Sequence, residues 1–266
     1  MTAATPVQLR REPPRFRRMT VQAVTYLGPR MVRVTFAGPD LEGLAVELPG
    51  ASVRVLLPSP GTHDLVMPTW NGNEFLLPDG SRPAIRTFTP RRADPGAGEL
   101  DVDIVLHGSG VASEWAARAG GGDEAAVSGP GRGYVVDGDA EAFLLAGDES
   151  AIPAMSQLLE AVPDTAAVRV HVEISDTDGR VELPSHPRAT VEWHALPPGA
   201  AAGDALVAAV IGSDLAADTR VWVAGEAAAV HRIRRHLFEE RGWPRRLATV
   251  RGYWKHGRGG DEEDGE

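Results

Sequence analysis

The sequence predicts two domains, an N-terminal antiparallel β-barrel followed by a doubly wound parallel α/β domain. From residue 17 to about 135, short β-branched segments are joined by proline and glycine, which is typical of a barrel or sandwich. After about residue 140, apolar strands alternate with helices, which indicates a parallel sheet. The rhythm changes near 136–141, so the expected division is a disordered arm at 1–15, the barrel at 16–138, the α/β domain at 139–256 and an acidic tail at 257–266.

In the barrel half, the first two strands are predicted at 19–24 and 31–36, where residues alternate or run β-branched. Gly28 and Pro29 between them mark a turn. The remaining predictions for this half are strands at 52–57, 84–89 and 100–106, and one helix at 111–119.

In the α/β half, a buried apolar strand at 142–146 leads into a helix at about 150–162. Ile152, Met155 and Leu159 fall on one face of that helix at spacings of three and four. The later predictions are strands at 168–174, 189–193, 220–224 and 247–250, with helices at 204–211 and 226–241.

The composition restricts the function. The chain of 266 residues has no cysteine, which excludes disulfides, thiolate nucleophiles and a protein-ligated iron–sulfur cluster. The net charge of -10 argues against nucleic acid as a partner. No apolar run approaches a membrane span, and residues 1–18 do not resemble a signal peptide. We therefore expect a cytoplasmic monomer without membrane insertion, whose redox chemistry, if any, needs a borrowed cofactor.

The segment Arg86-Thr87-Phe88-Thr89 lies on a predicted strand and suits a flavin. Arginine binds a diphosphate in a bidentate manner, an aromatic ring stacks on a flat heterocycle, and a hydroxyl bonds a ring nitrogen. Arg86 and Phe88 share one face, so a ligand that also touches Thr89 must lie over the strand edge. The alternative is an ordinary strand with one exposed arginine.

A second element suited to phosphate follows at Gly110-Val111-Ala112-Ser113. The first turn of a helix offers unpaired N–H groups, and Ser113 adds a hydroxyl. The alternative is that Ser113 is an N-cap and Trp115 a core residue. His107, just before this turn, is either a flavin contact or structural.

Two strand-to-helix junctions in the α/β half stand where such sheets bind nucleotides. The first is Gly147-Asp148-Glu149 and the second is Ala224-Gly225-Glu226. At the second junction, Gly225 lets a ligand approach the backbone closely. The first junction lacks the full dinucleotide fingerprint, and Asp148 and Glu149 are equally suited to capping the helix that follows. Glu226 either has a role in a pocket or only complements the dipole of its helix.

The segment from Arg251 to Gly257 places two aromatic and three basic residues after the last predicted strand. Aromatic pairs near a chain end are usually packing. A basic aromatic lip beside a redox site also attracts an anionic metal chelate.

Taken together, these segments resemble the siderophore-interacting protein family of FAD-dependent ferric-siderophore reductases, which is related to ferredoxin–NADP reductases. The resemblance runs from about Arg17 to Gly257 and is carried by seven ordered segments. They are RTFTPR at 86–91, DVDIVLHG at 101–108, GVASEWA at 110–116, GP at 129–130, AGDESAIPA at 146–154, WVAGE at 222–226 and GYW at 252–254.

The resemblance implies a FAD-binding barrel, a nicotinamide-nucleotide domain and no protein catalytic residue, since the cofactor supplies the chemistry. The implied FAD ligands are Arg86, Thr87, Phe88, Thr89, His107, Ala112 and Ser113. Gly147, Asp148 and Glu226 would face the nicotinamide, and Arg132, Arg251 and Lys255 the ferric siderophore. Phe88 replaces the family's usual tyrosine, which removes one hydrogen bond worth about 1 kcal/mol. Lys255 stands where the family often has arginine, so a bidentate grip is lost.

The implied function is a reductase that takes hydride from NADPH or NADH and reduces chelated Fe(III). Two alternatives stay open: a flavin reductase partner for another acceptor, and a non-enzymatic siderophore carrier. The choice of nicotinamide is also open. Glu173 or Asp176 suits the ribose of NADH, whereas Arg180 or Arg188 suits the 2'-phosphate of NADPH.

Overall fold

The computed structural model describes residues 14–257, and the predictions for the rest of the arm and the tail lie outside the described residues. An antiparallel sheet of seven strands occupies the N-terminal half and a parallel sheet of five strands the C-terminal half. The predicted fold class is confirmed. In the described part of the chain, no helix is long and apolar enough to cross a membrane.

The barrel half is built around one large apolar core, and a small second cluster contains Leu56, Leu65 and Ala126. Phe36 and Trp115 stack in the large core with ring centroids 6.0 Å apart, so the short helix Val111–Ala116, which carries Trp115, packs on that core. The sheet order is β6-β3-β9-β1-β2-β8-β7, with a separate β4–β5 hairpin. The elements are β1 Arg17–Gly28, β2 Met31–Ala37, β3 Val53–Leu57, β4 Thr69–Trp70, β5 Phe75–Leu76, β6 Ala84–Phe88, β7 Pro90–Asp94, β8 Glu99–Val105, α1 Val111–Ala116 and β9 Glu124–Ser128.

The α/β half has the strand order β12-β11-β10-β13-β14, all parallel. The central strand, Ala142–Asp148, contributes to an apolar core on each face of the sheet, because successive side chains of a strand point to opposite faces. Phe143 and Leu145 pack with the helix Ile152–Ala161. Leu144 and Ala146 pack with the helices Asp204–Ile211 and Ala227–Arg235. The elements are β10 Ala142–Asp148, α2 Ile152–Ala161, β11 Ala167–Ile174, β12 Ala189–Ala195, α3 Asp204–Ile211, β13 Arg220–Glu226, α4 Ala227–Arg235 and β14 Ala248–Trp254.

The structure differs from the predicted elements in several places. The hairpin β4–β5 and the strands β7 and β9 were not predicted, since they are short or rich in charge and proline. The helix expected at 111–119 ends at Ala116, and the helix expected at 226–241 leaves α-helical geometry after Arg235 in a π-turn at His236–Glu240. The last strand continues to Trp254, so most of the lip expected after it belongs to the sheet.

Polar contacts join the two halves. Arg30, in the β1–β2 turn, makes a bidentate ion pair with Glu149 at 2.7 and 3.0 Å. Gln157 of α2 accepts a hydrogen bond from the Gly50 N–H at 2.8 Å and donates one to the Pro90 carbonyl at 2.8 Å. These contacts join the α/β half to the β1–β2 turn, to the loop before β3 and to the start of β7.

Candidate functional site

The strand β6 presents the predicted flavin segment at the end of the barrel sheet. In its pairing with β3, Arg86 lies opposite Val55 and Phe88 opposite Val53, and both valines are buried in the core. The half-buried Phe88 ring packs against this core. Thr87 is exposed on the opposite face of β6. Because β6 has no strand partner on its outer side within residues 14–257, its backbone edge is available to a ligand.

Thr89 connects the flavin segment to the α/β half. It is buried just after β6, and its hydroxyl lies 3.5 Å from the hydroxyl of Tyr253 on β14. Burial raises the pKa of Tyr253, and the hydrogen bond with Thr89 opposes that rise. The C-terminal end of the flavin segment and the predicted aromatic lip therefore meet in space.

His107 and Ser113 lie together at the start of α1. The Ser113 hydroxyl accepts a hydrogen bond from the His107 backbone N–H at 3.0 Å. The cap of this helix is Gly110, so the interpretation of Ser113 as an N-cap was wrong. The His107 side chain is exposed, and Ala112 is half-buried in the first turn of the helix.

Asp148 connects the carboxyl ends of the parallel strands β10, β13 and β14 through hydrogen bonds. One carboxylate oxygen accepts from the Ser150 N–H and hydroxyl, and the other from the Glu226 N–H and the Trp254 indole N–H, each of these last two at 2.8 Å. Burial raises the pKa of Asp148, while the hydrogen bonds from Ser150 and Trp254 act in the opposite direction. The carboxylate thus positions the strand ends, and its oxygens are already well supplied with donors.

The two glycines at these junctions are required by the protein's own packing. A Cβ on Gly147 would lie 2.4 Å from the Cβ of Ala151, and one on Gly225 would lie 2.6 Å from a carboxylate oxygen of Asp148. We expected Gly225 to admit a ligand. The structure shows that the space beside Gly225, like that beside Gly147, is taken by a neighbouring residue of the chain.

Glu226 and Glu173 each cap a helix. Glu226 accepts from the N–H groups of Ala228 and Ala229 at the start of α4. Glu173 accepts from Gly203 and Leu206 at the start of α3, and burial raises its pKa. Glu226 therefore serves the start of its helix, and the capping alternative is confirmed for Asp148, whose side chain accepts from the Ser150 N–H. The suggestion that Glu173 bonds a ribose was wrong, because its carboxylate is buried beneath α3.

A cleft of about 490 Å³ opens at the carboxyl ends of β12 and β13, where doubly wound sheets bind nucleotides. The loop before α3, including Gly199, forms one wall. Glu226 and the first turn of α4 form the other wall, and Arg232 and His256 also line the cleft. The loop at 199–202 was not predicted as part of a site, because glycine and alanine side chains have no group that would bind a ligand.

Two of the three predicted siderophore residues are adjacent. The Arg251 guanidinium donates to the backbone carbonyls of Arg132 and Gly133 at 3.3 and 3.4 Å. The side chains of Arg132 and Lys255 are exposed. A second cleft, of about 290 Å³, is lined by Leu48 and by residues on both sides of Arg132. The structure places Lys255 directly after β14, two residues beyond Tyr253 and its contact with Thr89.

Comparison with known families accounts for both halves. Residues 20–134 match the model of the siderophore-interacting FAD-binding domain, and residues 140–257 match that of siderophore-interacting protein. The chain belongs to the siderophore-interacting protein family. The predicted resemblance is confirmed.

Individual members of the siderophore-interacting protein family are similar over nearly the whole chain. The structure of a siderophore utilization protein from T. fusca is 35% identical, covers 93% of this chain and 95% of its own, and superposes with a TM-score of 0.82. The NADPH-dependent ferric-chelate reductase of Escherichia coli is 31% identical over 90% of this chain and 93% of its own. The ferric vibriobactin reductase ViuB of Vibrio cholerae is 30% identical over 88% and 87%.

Proposed function

We propose that this protein is a FAD-dependent ferric-siderophore reductase that takes hydride from NADPH or NADH and reduces chelated Fe(III) to Fe(II). The enzyme class rests on the related ferric-chelate and ferric vibriobactin reductases. The observation that carries the proposal is the contact between Thr89 and Tyr253, because it joins the flavin segment of the barrel to the end of the nucleotide sheet. The proposal includes the division into domains at 16–138 and 139–256.

The donor set of the barrel fits FAD. Arg86 would supply a guanidinium for the diphosphate and Phe88 an aromatic face, and the buried hydroxyl of Thr89 lies just after β6. His107, Ala112 and Ser113 would hold the ribityl and phosphate part, and Thr87 would contribute its exposed hydroxyl. When bound, FAD accepts a hydride and passes electrons on singly. The protein's part is to bind, to orient and to exclude water.

The cleft beside α4 supports nicotinamide binding in the other half. Gly147 lets β10 pack closely on the residues that precede α2, while Asp148 and Glu226 hold the strand ends and the start of α4 in place. We assign these three residues to positioning the nicotinamide side. The exposed residues Asp176, Arg180 and Arg188 remain the candidates for choosing between NADH and NADPH.

Three basic residues support an anionic ferric siderophore as the substrate. Arg132, Arg251 and Lys255 contribute three positive charges in a chain whose net charge is -10. Such a local field attracts an anionic chelate that the rest of the surface repels. We propose that the enzyme acts as a cytoplasmic monomer, and size-exclusion chromatography tests its oligomeric state.

The test is the visible spectrum of the purified protein, followed by anaerobic titration with NADPH and with NADH. We expect flavin absorbance that either nucleotide bleaches and that a ferric siderophore restores. The Arg86→Ala variant should lose FAD, whereas Arg118→Ala, at an exposed arginine of the same domain, should keep it. Absence of flavin with no binding of added FAD would refute the proposal.

Two other results would point elsewhere. Flavin that bleaches but is reoxidised only by a protein acceptor indicates a flavin reductase partner. Bound flavin that neither nucleotide reduces, in a protein that still binds the siderophore, indicates a non-enzymatic carrier.

A further inference from the structure

A cluster of two histidines and one glutamate lies on the open edge of the parallel sheet, on β11 and β12. His171 is opposite Glu192 in the strand register, and His194 is two residues further along β12 on the same face. The ligand atoms of these three side chains all lie within 4.8 Å of one another. The edge strand β12 is at the opposite side of the sheet from β14, which carries Arg251 and Tyr253.

The two histidines approach each other through ring nitrogens. Nδ1 of His171 lies 3.0 Å from Nε2 of His194. With metal–nitrogen bonds of about 2.0–2.1 Å, nitrogens at that separation subtend roughly 95° at a shared ion. Glu192 is exposed, so its carboxylate is free to close on the same point by a rotation of the side chain. Ligand atoms on one such ion are about 3–4 Å apart, which requires only a small approach.

Ser213 fixes the tautomer of His171. The Ser213 hydroxyl donates its single proton to the Ala209 carbonyl at 2.8 Å. It must therefore accept from Nε2 of His171, which lies 3.0 Å away, so Nε2 carries the proton. Nδ1 is left with its lone pair directed at His194. A hydrogen bond from the non-ligating nitrogen is what orients histidine ligands in metal sites.

We propose that His171, Glu192 and His194 form a binding site for a divalent first-row transition-metal ion. Two imidazoles and one carboxylate suit Zn²⁺ and its neighbours, whereas Mg²⁺ prefers oxygen ligands alone. The exposure of Glu192 on an edge strand leaves room for water at a fourth position, so the site is of the open type. The competing explanation is a simple hydrogen bond between the two histidines, with the glutamate in solvent.

The test uses the full-length protein without a histidine tag, dialysed against a chelator and then into metal-free buffer. Zn²⁺ is titrated by calorimetry, bound metal is counted by mass spectrometry, and Mg²⁺ is titrated in parallel. We expect one Zn²⁺ per chain and no heat from Mg²⁺. Absence of stoichiometric Zn²⁺ binding would overturn the proposal in favour of the histidine–histidine hydrogen bond.

Variants locate the ion. Glu192→Gln and His194→Ala should weaken Zn²⁺ binding at least about tenfold, and Ser213→Ala by about 10- to 100-fold through loss of ring orientation. His231→Ala removes an exposed histidine of α4 and should leave binding unchanged. Circular dichroism checks that each variant is folded, and the exposed Glu192 is the variant least able to disturb the fold. Equal binding by Glu192→Gln, His194→Ala and the unmodified protein would place the ion elsewhere and refute the site.

Discussion

Replacing Glu149 with alanine should weaken the attachment of the α/β half to the barrel. Glu149 accepts two hydrogen bonds from Arg30, across the interface, and one from the Ser175 hydroxyl at 2.9 Å. The Glu149 side chain is 8% exposed and that of Arg30 is 26% exposed. The pairing raises the pKa of Arg30, chiefly through its hydrogen bond to Glu149.

The size of the effect follows from that burial. Removing one partner of a fully buried ion pair costs about 3–5 kcal/mol, because the other charge is left without compensation. A quarter of the Arg30 side chain is in water, which allows it to recover part of its solvation. We therefore expect Glu149→Ala to lower the free energy of unfolding by about 2–3 kcal/mol.

Urea unfolding followed by tryptophan fluorescence measures this loss. The matched control is Glu124→Ala, which breaks an exposed ion pair with Arg18 and should cost less than about 1 kcal/mol. A double-mutant cycle of Glu149→Ala with Arg30→Ala should give a coupling energy above about 1 kcal/mol. If Glu149→Ala costs no more than Glu124→Ala, or if the two single changes simply add, the interface does not depend on this pair.

Three further predictions concern the cofactor, the strand ends and the dependence of stability on pH. Phe88→Tyr should tighten FAD binding about fivefold by adding one hydrogen bond, measured by fluorescence titration of the apoprotein; unchanged affinity would contradict a flavin at this ring. Gly225→Ala should lower the free energy of unfolding by about 2–4 kcal/mol, because φ is 155° and the new Cβ would lie 2.6 Å from Asp148 Oδ2. The control Gly199→Ala changes a glycine with positive φ beside open space, and it should lower the free energy of unfolding less in the same urea assay. Burial raises the pKa of Glu173, so its stabilising contribution is complete below the ordinary carboxyl pKa and lost as pH rises through the folded value. The stability advantage of the unmodified protein over Glu173→Gln should therefore fall with rising pH, and a constant difference between about pH 4 and 8 would show otherwise.

Strands and helices with a strong apolar periodicity could be predicted from the sequence alone. The strands β2, β10 and β13 and the helices α2 and α3 were predicted near their observed positions because burial imposes the period. The strand β7 was not predicted, because its sequence of Pro90, two arginines, an alanine and an aspartate shows no apolar alternation. It forms because its neighbour β8 supplies a buried partner edge.

The site was predictable in residue type but not in pairing. Arg86 to Thr89 and the segment around Tyr253 were both identified, yet the contact between Thr89 and Tyr253 spans 164 residues and only the folded chain creates it. The histidine cluster was missed for a related reason. Its signal is a polar residue at every second position, His171 with Glu173 on β11 and Glu192 with His194 on β12, and it acquires meaning only when the two strands pair in register.

Adjacent residues at the end of β10 connect the two functional halves. The Asp148 carboxylate accepts hydrogen bonds from the ends of β13 and β14, whereas the Glu149 carboxylate accepts hydrogen bonds from Arg30 of the barrel. Under the proposed function, Asp148 holds Glu226 at the wall of the nucleotide cleft, and Glu149 holds the α/β half against the barrel. Because the first effect is internal to the sheet and the second lies across the interface, Asp148→Ala should weaken nicotinamide binding, while Glu149→Ala should slow hydride transfer from nucleotide that still binds. Stopped-flow reduction at several NADPH concentrations separates the two effects. Identical changes in affinity and limiting rate for both variants would mean that the dipeptide acts as a single structural unit.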